Sequence, residues 1–204
     1  MTCRVLGTLL VATLAVSAQA PSAAPKPLKP GVYAVFETSE GNFTAELYEK
    51  YVKSAVRVFI GLAQGTQAWI DPKTLKPVRR PLYDDITFHR VVRYEMIQAG
   101  DPTGLGTHNC GFTIRDEFLP GLRFDRPGRL AMANTGRPDS GSCQFFITDQ
   151  AVPRWNDNYS IFGQVVSGME VVRAINRKPL EGEKPLNPVR LRHVSVMRIT
   201  QSPN

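Results

Sequence analysis

Histidine and cysteine are scarce, with three of each in 204 residues. His89, His108 and His193 share no ligand spacing with Cys110 or Cys143, so no metal-donor set is legible and no metal is expected. Ser142 has no plausible base and no nucleophile elbow around it, which removes the usual serine-hydrolase pattern. Gly100, Gly104, Gly106 and Gly111 lack the strand–loop–helix context of a phosphate-cradling loop. Internal repeats are absent, and the acidic residues form no motif. The balance of 25 basic against 18 acidic residues gives +7 and favours weak contact with polyanions. Those basic residues are dispersed rather than gathered in a block, so specific nucleic-acid binding has no support. The apolar run Val5–Val16 falls short of the roughly 20 residues that span a bilayer.

What is present divides the chain into three parts. Residues 1–20 carry Arg4, then that apolar run, then Ser17-Ala18-Gln19-Ala20, the order of a secretory signal peptide. Cleavage after Ala20 leaves Pro21 as the next residue, and cleavage after Ala18 is the alternative. An exported protein, periplasmic or secreted, is expected, with no stable membrane insertion after removal of the signal. That removal takes away Cys3 and Arg4 and leaves a charge of +6. Residues 21–30, Pro-Ser-Ala-Ala-Pro-Lys-Pro-Leu-Lys-Pro, read as a stiff extended tether. Residues 31–204 are expected to form one domain.

In that domain Val32–Thr38 and Phe43–Leu47 flank Ser39-Glu40-Gly41-Asn42 and read as a hairpin. A helix follows, with Ser54 as its expected N-cap, Val56, Phe59, Ile60 and Ala63 at helical spacing, and Gly65 as the stop. Trp69–Tyr83 is rich in Pro, Lys and Arg and reads as an exposed loop. Strands are expected at Arg129–Asn134, within Gly141–Thr148, at Ile161–Val166 and at His193–Thr200, with a short helix over Met169–Asn176. Short strands, many turn signals and two helices point to an antiparallel barrel or sandwich.

The remaining stretch, Phe88–Asp101, organises the others. Val91-Val92 and Met96-Ile97 are short and apolar enough for strands, and alternation puts Met96 and Gln98 on one face with Arg90 close by. On these residues alone, an ordinary strand pair with a surface arginine explains the pattern equally well. Phe-His-Arg-Val-Val, Met-Ile-Gln and Gly-Asp at this spacing, however, resemble the signature segment of the cyclophilin peptidyl-prolyl isomerases. Leu-Ala-Met-Ala-Asn at 130–134, Gly-Ser-Cys-Gln-Phe-Phe-Ile at 141–147 and Ile-Phe-Gly at 161–163 stand in that family's order. The resemblance covers most of residues 31–200. It implies a mainly β fold, a closed eight-stranded antiparallel barrel capped by two α-helices.

The reaction it implies is rotation about an X–Pro peptide bond, whose barrier is about 18–20 kcal/mol because the amide is resonance-stabilised. No cofactor is implied, and the partners are proline-containing polypeptides met by a monomer. Arg90 resembles the family's catalytic arginine, and Gln98 would bond the substrate backbone. Met96, Phe146 and Trp155 would hold the proline ring, with Ala133, Asn134 and Gln144 shaping the groove and Tyr159 standing where the family often has histidine. Taken singly, Met96 and Phe146 would suit any β core, Trp155 any surface, and His89 a structural hydrogen bond.

Glu95 departs from the pattern: it stands where an aromatic usually lines the proline pocket, and Tyr94 is the nearest aromatic. Either Glu95 turns outward or the pocket is unusually polar, since an unpaired charge in an apolar site is costly. Three functions follow: an isomerase assisting the folding of exported proteins, a proline-peptide-binding chaperone or holdase with weak catalysis, or a non-catalytic structural or adhesive β-domain. Export also favours oxidation of Cys110 and Cys143, the two cysteines left in the mature chain, to a disulfide, and the resemblance implies that both border the proline groove and so lie close. The bond would close a loop of about 34 residues, for which chain entropy gives roughly 3–4 kcal/mol.

Overall fold

The computed structural model describes residues 28–200. The expected signal peptide and residues 21–27 of the tether lie outside them. The chain opens with β1 (Gly31–Thr38) and β2 (Gly41–Leu47), joined by a tight turn, and enters α1 (Lys53–Gln64). Short strands follow: β3 (Trp69–Ile70), β4 (Pro77–Val78), β5 (Ile86–Thr87), β6 (Arg90–Val92) and β7 (Met96–Ala99). Then come β8 (Arg129–Met132), β9 (Phe145–Thr148), a 3₁₀ turn (Pro153–Trp155), β10 (Ile161–Ser167) and α2 (Met169–Asn176). A ribbon of β11 (Leu180–Glu181) and β12 (Lys184–Pro185) precedes β13 (Arg190–Ile199).

Nine strands form one strongly curled antiparallel sheet in the order β5-β13-β1-β2-β10-β8-β9-β7-β6. This corrects the expected closed eight-stranded barrel: the sheet is a half-barrel, open between β5 and β6. Those end strands are separated in sequence only by Phe88-His89, so one extended run serves both ends of the sheet without pairing to itself. Backbone donors along that run go elsewhere, Phe88 N–H to the Val189 carbonyl at 3.0 Å and Val91 N–H to the Glu183 carbonyl at 2.6 Å. The first of these extends the β5–β13 ladder, and the second covers the outer side of β6 with the Glu183 turn. The ninth strand escaped the sequence reading because two residues are too few for any periodicity to show.

Inside the curl, Phe36 stacks on Phe43 with centroids 4.5 Å apart, and Phe59 of α1 reaches Phe36, Tyr83, Phe145 and Phe162. Gly65 ends α1 in the left-handed region at φ 75°, as its position just past the last apolar residue requires. Ser54, however, is not the N-cap. Helix α1 begins at Lys53, and the Glu117 carboxylate accepts the Ser54 and Ala55 N–H groups at 3.0–3.1 Å. A carboxylate from 63 residues away thus satisfies orphan donors at the positive end of the helix dipole. Trp69–Tyr83 is also not simply an exposed loop. Trp69, Leu82 and Tyr83 are buried, while Leu75 and its neighbours form the solvent-facing tip between β3 and β4.

Candidate active site

Strands β7, β8 and β9 are buried on both faces. Ile97, Ala99, Leu130, Met132, Phe145 and Ile147 face the main core, whereas Met96, Ala131 and Phe146 belong to a second, smaller apolar cluster with Phe124, Val152 and Ile161. That second face carries the site. Phe146 stacks with Phe124 at 5.9 Å and meets Trp155 and Tyr159 edge-on at 5.3 and 5.2 Å. Edge-to-face rings of this kind make a rigid apolar wall.

A cavity of about 80 Å³ opens on this wall, lined by Arg90, Met96, Gln98, Ala133, Asn134, Phe146, Trp155 and Tyr159. Arg90 and Gln98 meet because they are directly paired across β6 and β7. Gln144 lies beside this cavity rather than in it: it lines an adjoining hollow of about 110 Å³ with Gln98, Ala133 and Asn134. Asn134 uses its own side chain locally, donating to the Asn158 carbonyl at 2.8 Å and accepting the Gly136 N–H at 3.0 Å.

The rim is a continuous polar chain. Arg90 Nη1 donates to Gln98 Oε1 at 3.3 Å, Gln98 Nε2 to Gln144 Oε1 at 2.9 Å, and Gln144 Nε2 to the carbonyls of Gly106 and His108 at 3.1 and 3.0 Å. Gly100 makes the approach of β7 to this segment possible: it sits at φ 102°, and a Cβ there would lie 2.4 Å from the Cys143 carbonyl oxygen. Cys110 and Cys143 are joined by a disulfide with Cα atoms 6.1 Å apart, tying the 101–116 loop to the residue before Gln144.

Glu95 and Tyr94 are not among the residues lining the cavity. The Glu95 carboxylate pairs with Arg154, whose guanidinium lies 5.3 Å over the Trp155 ring. Tyr94 is exposed at φ 66°, with Arg177 4.4 Å over its ring. Burial lowers the His89 pKa below its usual range and favours the neutral ring, and neither ring nitrogen finds a hydrogen-bond partner among the described residues. Burial pushes Asp101 upward, but hydrogen bonds from the Thr103 hydroxyl and the Thr103 and His108 N–H groups outweigh it and hold the carboxyl below its usual range.

Two contributors were not singled out from the sequence. Asn176, fully buried at the end of α2, accepts the Tyr94 N–H at 2.6 Å and donates to the Val92 and Met96 carbonyls at 2.9 and 3.0 Å. It therefore pins the turn between β6 and β7. The sequence signal was a polar residue following Ile175 at the end of an apolar helix face. Glu183 bonds Arg90 from a two-residue turn, and no pattern marked it.

Among the described residues no helix is long and apolar enough to cross a membrane, and no group of three His, Cys, Asp or Glu is placed to hold a metal ion.

The family model described as cyclophilin type peptidyl-prolyl cis-trans isomerase/CLD matches residues 33–196. Peptidyl-prolyl cis-trans isomerase A of Mycobacterium tuberculosis is 39% identical over 166 residues, covering 80% of this chain and 91% of the relative. Peptidyl-prolyl cis-trans isomerase B of Streptomyces anulatus is 38% identical over 169 residues, covering 81% and 96%. A cyclophilin type isomerase of Cryptosporidium parvum, crystallised in the presence of the dipeptide Ala-Pro, superposes with a TM-score of 0.71 at 27% identity, covering 82% of this chain and 99% of that one. With its apolar cavity, its rim arginine and a family match spanning most of its length, this chain belongs to the cyclophilin-type peptidyl-prolyl cis-trans isomerases.

Proposed function

We propose that this chain isomerises X–Pro bonds in exported polypeptides, with Arg90 as the catalytic group. The observation that carries the reading is the convergence on one small cavity of an apolar floor (Met96, Phe146, Trp155, Tyr159) and two rim donors (Arg90, Gln98). The floor fits a proline ring and holds it while the rest of the chain turns. As the bond twists, conjugation is lost and the nitrogen becomes pyramidal and basic. A permanently charged guanidinium at the rim then donates to that lone pair more strongly than to the planar amide, which favours the twisted state over either ground state. The Gln98 amide is placed to fix the substrate backbone at the same rim, and Gln144 and Asn134 bound the path of the preceding residues.

Uncatalysed exchange takes tens to hundreds of seconds, slow enough to limit folding. Each tenfold acceleration needs about 1.4 kcal/mol of differential stabilisation. The weak-catalysis reading rested on a charge at Glu95 inside the pocket, and the pairing of Glu95 with Arg154 removes that reason. Exchange spectroscopy on a short Ala-Pro peptide tests the activity: line broadening at catalytic protein concentration is expected, and unchanged lines would leave a binder or an adhesive domain. Export is supported by the signal-like order of residues 1–20 and is tested by sequencing the N-terminus of the mature protein, with Pro21 or Gln19 expected first.

A further inference from the structure

Arg90 is half exposed, its side chain 46% accessible, and a long exposed arginine ordinarily samples many rotamers. Here it does not hang free. Glu183 Oε2 accepts from Arg90 Nε at 2.6 Å and Oε1 from Nη2 at 3.3 Å, so one carboxylate spans the side edge of the guanidinium fork. Gln98 takes an Nη1 proton. Of the five guanidinium protons, three are thereby held, and the two left lie on the terminal nitrogens Nη1 and Nη2.

Glu183 is itself held in place before it meets Arg90. Its turn joins β11 and β12, in which Leu180 pairs with Pro185 and Glu181 with Lys184. Gly182 supplies the positive φ, 61°, that a two-residue hairpin needs at its first loop position. The Glu183 carbonyl accepts the N–H of Val91, the residue next to Arg90, at 2.6 Å. Backbone and side chain of one residue thus grip two successive residues of β6.

We infer that Glu183 is a positioning residue, which fixes the Arg90 guanidinium plane so that its free terminal N–H groups face the proline cavity. This inference rests on the reading of Arg90 as the catalytic group. A fixed donor loses no rotamer freedom as the bond twists, so the benefit falls on the turnover step rather than on binding.

The experiment compares wild type, Glu183→Gln, Glu183→Asp, Glu181→Gln and Arg90→Ala by exchange spectroscopy on an X–Pro peptide, separating kcat from KM. Glu183→Gln is expected to lower kcat by about three- to tenfold with KM changed less than twofold. Glu183→Asp should recover part of the loss, and Glu181→Gln, the same charge change two residues away, should match wild type. The Arg90 Nε–H resonance is expected to exchange slowly in wild type, where Glu183 accepts it, and should broaden or vanish in Glu183→Gln. In the Arg90→Ala background, Glu183→Gln should have no further effect. An unchanged or raised kcat in Glu183→Gln overturns the inference while leaving Arg90 catalytic. A loss matched by Glu181→Gln makes the effect one of net charge and overturns it as well. Full activity in Arg90→Ala overturns the reading on which it rests.

Discussion

The two faces of β7, β8 and β9 are equally buried and do different work. Toward the main core, Phe145 is enclosed by Phe36, Phe59 and Tyr83, with no opening to solvent. Toward the other face, Phe146 is almost as buried, yet it forms the floor of a cavity whose rim is polar. One residue of sequence separates a side chain that holds the fold from one that lines the proposed substrate cavity. Packing stabilises the first face without reference to anything outside the protein, whereas the second leaves an apolar hollow unfilled and rings it with donors already bonded to one another.

The largest expected effect lies on the core face. Phe145→Ala should cost about 3–5 kcal/mol, the range for deleting a fully enclosed aromatic, read as a fall in the urea midpoint. Phe146→Ala should cost less stability, because part of its surroundings is already open, and should lose most activity. Equal stability losses with retained activity would erase the difference between the faces.

Reduction of the Cys110–Cys143 bond comes next. It spans a sequence separation of 33, for which chain entropy gives roughly 3–4 kcal/mol. Its sulfur atoms lie in the main core but its flanking residues, Gln144 and the 106–108 carbonyls, make the groove rim. Denaturation with and without reductant should show the stability loss, and exchange kinetics at low denaturant should show a raised KM.

Asn176→Ala is expected to cost about 2 kcal/mol, since it leaves the Tyr94 N–H and the Val92 and Met96 carbonyls of the β6–β7 turn without their partner. Activity should fall with it, because that turn sets the spacing of Arg90 from Met96. Intact activity at reduced stability would separate the turn from the site.

The smallest effect is in pH. An unfolded chain protonates His89 below about pH 6.5, its ordinary value, while the folded chain resists because burial disfavours the charged ring. The unfolded state therefore binds more protons as pH falls from 6.5 toward the depressed folded value, and stability drops across that window. Thermal unfolding at pH 7 and pH 5.5 should show a decrease that is smaller in His89→Gln.

How much of this was legible beforehand follows the range of the interactions. The β1–β2 hairpin, the Gly65 stop and the Met169–Asn176 helix are written in neighbouring residues. Arg90, Met96 and Gln98 share a stretch of nine, so their common site could be read from spacing and resemblance together. Phe145 and Phe146 could not be told apart by periodicity, because strands buried on both faces show continuous apolar runs instead of alternation. The cap on α1, the anchor at Asn176 and the partner of Arg90 each act across 62 to 93 residues. Such polar contacts exist only once the fold has brought their partners together, and no local pattern announces them.

The outward face of these strands is proposed as a prolyl-isomerase site whose rim arginine acts on the twisted bond and not on the fold. The most direct test is the exchange rate of an Ala-Pro peptide with Arg90→Ala, measured beside its urea midpoint. A loss in kcat/KM on the order of 100-fold, comparable to removing a preorganised donor elsewhere, with an unchanged midpoint is the result expected. Activity within a few-fold of wild type would contradict it.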